Sequence, residues 1–128
     1  MLKPLHRLSP GDAALATDVM SALRRMRRFD PKMSLEELYV LLAVASRPGV
    51  TQKELGEELE LQTGPMSRVC DPLGDYREGG LKFITQGVDP KDRRSRPMQP
   101  LPAGVEAVRD ALRDIKGGLR HGNTGEGE

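Results

Sequence analysis

The sequence predicts a mainly α chain with a small β-hairpin, arranged as a winged helix-turn-helix. Three observations carry that expectation. Residues 51–73, TQKELGEELELQTGPMSRVCDPL, read as two short helices joined by a tight turn. Residues 81–101 read as a hairpin whose tip, DPKDRRSR, is rich in cations. Amphipathic stretches of helical period stand before and after these two units.

The bounds are set by composition. With 128 residues the chain is long enough for one domain with one core. A 37% hydrophobic and 30% charged composition is that of a globular protein. No apolar run approaches the length that spans a membrane, and MLKPLHRLSP lacks the continuous apolar stretch of a secretory signal. One cysteine excludes an intramolecular disulfide and a cysteine-rich zinc site, and His6 and His121 stand alone. The expectation is a cytoplasmic protein with no cofactor, no metal and no membrane contact.

Net charge is only +1, which argues against a non-specific nucleic-acid coat. A site-specific binder is not excluded, because the charges are unevenly spread. Acids crowd Glu36, Glu37, Glu54, Glu57, Glu58 and Glu60, whereas cations crowd Arg24, Arg25, Arg27 and Arg28 and then Lys91, Arg93, Arg94 and Arg96.

Taken in order, Ser9, Pro10 and Asp12 supply an N-cap, a first-turn proline and a first-turn acid for a helix to about Arg28. Its expected apolar stripe is Leu15, Val19, Leu23 and Met26. The RRMRR run suits the negative end of the helix dipole, or flanking phosphate contact. Asp30-Pro31 breaks the helix. Ser34 with Glu37 forms a capping box for a second helix to about Ser46, with Leu35, Leu38, Leu41, Leu42 and Ala45 as its expected core face. Arg47-Pro48-Gly49 stops it.

Thr51 with Glu54 is a second capping box, and Leu55 and Leu59 follow on one face. The next helix opens near Thr63 and Pro65, with Met66, Val69, Cys70 and Leu73 inward. Gln62, Thr63, Gly64, Ser67 and Arg68 are left outward, a set suited to base edges and phosphates. Pro72 predicts a kink or an early end near Gly74. Cys70 lies on the apolar stripe and is expected to be a small core residue, not a redox sensor.

Leu81 to Val88 reads as a strand alternating at Leu81, Phe83 and Thr85. Pro97 to Leu101 reads as its partner, confined to an edge by Pro97 and Pro100. Pro102 starts a last helix to about Gly117. Its Val105, Val108, Leu112, Ile115 and Leu119 repeat at the spacing of two helices packed side by side, and a second subunit is the favoured partner over its own domain. The expected organisation is a dimerisation helix in 1–30, a DNA-binding domain in 31–101, a second dimerisation helix in 102–119 and a disordered tail in 120–128.

SLEELYVLLAVASRPGVTQKELGEELEL, TGPMSRVCDPL, DPKDRRSR and the PAG at Pro102–Gly104 together resemble the MarR family of bacterial winged-helix regulators. The likeness covers about residues 34–108, and the DPKDRR wing followed by PAG is its more specific part. It implies a homodimer on double-stranded DNA, with recognition helices in the major groove and wings in the minor groove. On the family's pattern Thr63, Ser67 and Arg68 match recognition-helix positions. Asp92 matches a wing acid and Arg94 a minor-groove arginine. Gln62, Lys91, Arg93 and Arg96 complete the expected DNA-binding set, and Asp92 is expected to brace a neighbouring arginine. Leu101 departs from the family's capping threonine, and an aromatic content of 3% argues against an aromatic effector pocket. The competing function is a protein–protein interaction module on the same scaffold. An enzyme lacks support: no phosphate-cradling glycine loop, nucleophile–base pair or metal-ligand spacing is present.

Overall fold

The structure, a computed structural model, describes residues 6–75, 78–92 and 95–122, with 116–122 as backbone alone. Five α-helices and one hairpin follow the order α1 (Pro10–Arg27), α2 (Leu35–Ser46), α3 (Gln52–Leu59), α4 (Thr63–Cys70), β1 (Ile84–Gln86), β2 (Met98–Pro100) and α5 (Pro102–Gly122). A short 3-10 turn, Asp71–Leu73, continues α4. No helix among the described residues is long and apolar enough to cross a membrane.

Side-chain caps start the first three helices. Ser9 Oγ accepts the Asp12 N–H at 3.1 Å, and Pro10 takes the first turn. Ser34 and Glu37 close one capping box, at 3.1 and 2.6 Å, and Thr51 and Glu54 close another, at 3.0 and 2.9 Å. Each box satisfies two amides that a helix start leaves without partners. α4 ends at Cys70, and Pro72 falls in the 3-10 turn that stops at Gly74, as its missing N–H requires.

One core joins all the helices. Val40, Leu41 and Val44 of α2, Leu55 of α3, Met66 and Cys70 of α4, and Ile84 and Met98 of the hairpin are buried together. Ala22 and Met26 of α1 and Ala107, Val108 and Ala111 of α5 belong to the same cluster. Fully burying one of the larger aliphatic side chains contributes about 1.5–3 kcal/mol.

Several faces differ from those read off the sequence. On α2, Leu35 is 80% exposed and Leu42 is also open, while Val40, Ala43 and Val44 turn inward with Leu41. That helix is apolar nearly all round, so its neighbours, not its period, choose the buried face. On α1, Ala22 and Met26 are buried, whereas Val19 and Leu23 are exposed.

The terminal helices were expected to lie outside the winged-helix core, and instead complete it. α5 packs on α1, its Ala107, Val108 and Ala111 are buried, and Leu112 of the expected seam faces solvent. Val105 and Ile115 are half-buried, and the Leu119 side chain lies outside the described residues. Arg25 and Asp114 tie the pair, with Nε to Oδ2 at 3.0 Å and Nη2 to Oδ1 at 3.1 Å. α5 runs to Gly122, into the segment expected as tail, and 123–128 lie outside the described residues.

The first strand is shorter than expected, Ile84–Gln86 instead of 81–88. Leu81, Lys82 and Phe83 give their amides to Pro72, Gly74 and Leu73 instead of to β2. Lys82 adopts a left-handed conformation, φ 60°, which breaks the expected alternation and leaves the adjacent Phe83 and Ile84 both buried. β1 pairs antiparallel with β2, Gln86 opposite Met98 and Ile84 opposite Pro100.

β2 is an outer strand of the two-stranded sheet, as its prolines suggested, and its outer side is nevertheless hydrogen-bonded. Residues 49–51 run along its other side. The Gly49 N–H donates to the Met98 carbonyl at 2.7 Å, the Met98 N–H to the Val50 carbonyl at 2.9 Å, and Thr51 bridges Pro97. Met98, between the two prolines, supplies the one amide that this pairing needs.

Candidate nucleic-acid interface

The α3–α4 pair is set by a tight turn. Glu60 closes α3 in the left-handed region, φ 58°, and the Leu61 N–H donates to the Gly56 carbonyl at 2.8 Å. Gly56 is needed there, because a Cβ would stand 3.0 Å from the Leu61 carbonyl oxygen. Met66 packs beneath Gly56 and fixes the start of α4.

α4 then presents its polar face. Gln62, Thr63, Gly64 and Arg68 are exposed, and Ser67 is half-buried. Gln62 is the N-cap residue and makes no side-chain cap bond. The opposite face is closed: Met66, Cys70 and Leu73 are buried. Cys70 Sγ lies 3.8 Å from Met98 Sδ. Burial first, and then the Asp71 charge, push its thiol up to about 12. A thiol so placed stays protonated and unreactive near neutral pH.

Gln52, Lys53, Glu57, Gln62, Thr63 and Met66 are among the residues lining a crevice of about 350 Å³ between α3 and α4. Lys53 also reaches the wing, its Nζ lying 3.7 Å from Asp92 Oδ2. Lys53 therefore lines the crevice at the head of α4 and also lies within ion-pair distance of the wing. On the wing, Lys91 is exposed and its N–H donates to Asp89 Oδ1 at 2.9 Å, which turns the chain. Arg96 is half-buried, with a φ of 39°. Arg93 and Arg94 lie outside the described residues, so the arrangement of the cationic tip is not part of this geometry. Asp92, expected to brace a neighbouring arginine, has α3's Lys53 within ion-pair distance.

Behind the crevice, α2 and α3 are clamped at the surface. Arg47 donates two hydrogen bonds to Glu58, at 2.8 and 3.0 Å, and the Tyr39 hydroxyl donates a third at 2.6 Å. The Arg47 and Tyr39 hydrogen bonds hold the Glu58 carboxyl down at about 2. The same contact raises the Arg47 guanidinium and the Tyr39 hydroxyl above their ordinary values.

Sequence reasoning missed two participants in this site. The 49–51 segment that borders β2 is too short to carry a period. Gln52, a polar residue at a helix start, gave no signal that it would be 3% exposed.

Solved structures share this arrangement. A DNA complex of MepR from S. aureus matches with a TM-score of 0.67 at 16% identity, over 88% of each chain. Transcriptional regulator Tm0710 from Thermotoga maritima matches at 0.65 and 15%, over 89% of this chain and 73% of its own. A MarR-family transcriptional regulator from Silicibacter pomeroyi matches at 0.59 and 16%, over 91% and 73%. This chain has the MarR-type winged-helix fold. No protein-family model matches the sequence, and no curated protein matches it. In winged-helix terms, α3 and α4 form the helix-turn-helix, β1 and β2 form the wing, and α1 and α5 flank this unit.

Proposed function

We propose that this chain is a MarR-family transcription regulator that binds specific double-stranded DNA sites as a homodimer. The observation that carries the reading is the position of Lys53, which lines the crevice at the exposed head of α4 and lies within ion-pair distance of Asp92 on the wing. A helix entering the major groove offers its N-terminal outward residues to base edges, and here those are Gln62, Thr63, Ser67 and Arg68. Arg68 is the group suited to bidentate pairing with guanine, worth about 1–3 kcal/mol of discrimination. Lys91, Arg96 and the tip arginines Arg93 and Arg94 supply phosphate and minor-groove attraction. The MepR structure was solved as a DNA complex, which supports DNA as the ligand of this fold.

The test is a site selection from random duplexes with a salt titration. Arg68→Ala is expected to relax preference at particular base pairs. Lys91→Ala is expected to weaken binding to many sequences alike and to lower the salt slope by about one. Retention that ignores both salt and sequence would favour a protein-interaction module instead.

The homodimer is supported by apolar surface that the chain leaves open. Val19 and Leu23 of α1 and Leu112 of α5 are exposed. Leu112, Leu42 and Val105 also line an open groove of about 440 Å³ between α2 and α5. Two copies joined across these helices would set two α4 heads against successive half-sites of a palindrome. A Leu23→Glu, Leu112→Glu double variant is expected to sediment as a monomer and to bind DNA far more weakly than wild type. A wild-type monomer at micromolar concentration would count against the dimer.

A further inference from the structure

Three consecutive residues at the head of α3 fasten the wing. Thr51 bridges Pro97, the Gln52 N–H donates to the Ser95 and Arg96 carbonyls at 2.8 and 3.2 Å, and Lys53 faces Asp92. Gln52 alone also reaches the other arm of the hairpin, where its side-chain amide donates to the Gln86 amide oxygen on β1. One residue thus holds both arms where they leave the strand ladder toward the tip. On the far side of α3, Leu55 enters the common core and Gly56 rests on Met66 of α4. The route from wing to recognition helix runs through the first two turns of α3, and Gln52 is its wing end.

Nothing in the local helix asks for this residue. Thr51 and Glu54 already complete the capping box without it. A buried amide is costly unless hydrogen-bonded, and Gln52 is 3% exposed. Gln86 Nε2 remains buried with no hydrogen-bond partner among the described residues. A polar pair kept inside a small core at that cost fixes direction, which apolar packing does not. Direction matters here because Lys91 and Arg96 belong to the loop that joins the two clamped arms.

We infer that Gln52 is a positioning residue: it sets where the wing stands relative to α4, and so governs preference in the flanks of a DNA site without touching DNA. The inference rests on the DNA-binding reading above. It divides specificity between two sources. Base pairs under α4 are read by Thr63, Ser67 and Arg68, whereas flanking preference, which depends on minor-groove shape, needs the wing at one angle.

Site selection and salt titration on wild type, Gln52→Ala, Gln86→Ala and Gln52→Glu test this. Both alanine variants are expected to keep the central base pairs, to lose flank preference by roughly tenfold and to lower the salt slope by about one. Gln52→Glu keeps the length and can accept from the Gln86 amide, and is expected to restore the flanks. If Gln52→Ala does not fold, Gln86→Ala decides, because that side chain is half-buried and lies on the other partner. Alanine variants that melt earlier but keep wild-type flank ratios and salt slope would overturn the positioning role alone. Wild-type protein that enriches no sequence would overturn the DNA-binding reading, and this inference with it.

Discussion

The α3–α4–wing half and the α1–α5 half of the molecule are held together by different means. The first is fixed by directed polar contacts: a capping box, the three-way Glu58 clamp, the Gln52–Gln86 pair and the strand pairing through Met98. In the second, the small side chains Ala22, Ala107 and Ala111 are buried in the core and one partly exposed ion pair joins the two helices. Polar contacts set an angle. Small-residue packing sets a distance and leaves larger apolar groups such as Leu23 and Leu112 facing outward. On the proposed reading, the first half presents side chains to a rigid duplex and the second offers a surface to a second copy.

The largest expected break falls where the two halves meet. A Cβ on Gly104, in the first turn of α5, would lie 2.2 Å from the Phe83 carbonyl oxygen and 2.9 Å from its carbon. Backbone cannot yield as a side chain does, so Gly104→Ala is expected to cost about 3 kcal/mol or more, the upper part of the range for overpacking. Denaturant unfolding measures it; a loss below about 1 kcal/mol would show that α5 can shift freely on the wing root.

A middle-sized effect belongs to the helix-turn-helix half. Thr51→Ala removes the hydroxyl that accepts the Glu54 N–H at 3.0 Å, and is expected to cost about 1 kcal/mol. Because Thr51 also borders the wing, hydrogen exchange is expected to quicken at Gln52 and Met98 before it quickens in α5. Equal acceleration in both halves would erase the distinction drawn above.

The smallest effect is a pH dependence. The folded Glu58 carboxyl sits at about 2, below its ordinary value of 4.5. Its contribution to stability is therefore fully present above about pH 4.5 and is lost as pH falls toward 2. Glu58→Gln is expected to lower stability slightly at neutral pH, since the clamp is solvent-exposed. The gap between wild type and variant should close across that acid window. A gap that persists at pH 2 would mean that the carboxylate charge is not what α2 and α3 share.

The two halves were also unequally legible in the sequence. Caps and breakers are local chemistry, so Ser9, Ser34, Thr51 and Pro72 placed helix starts and the end of α4 within a residue or two. The hydrophobic period was decisive only where polar residues marked the other face, as on α4. On α2 nearly every side is apolar, and on α5 the leucines and valines outweighed the alanines that are buried. The pairing of residues 49–51 and the burial of Gln52 are created by residues 86 and 95–98, far along the chain, and no local pattern encodes them. Of the candidate site, the outward face of α4 was readable from spacing; its link to the wing was not.

Pairing of residues 49–51 with β2 also has a consequence in time. The helices α3 and α4 are close in sequence and share a tight turn, so their contact needs little loop closure. The Val50–Met98 contact encloses both of those helices and β1, and must await an ordering step of larger entropic cost. During refolding, helical signal should therefore rise first. Protection of the Gly49 and Met98 amides should come with the final cooperative step, making the β2 pairing the last part of the molecule to lock.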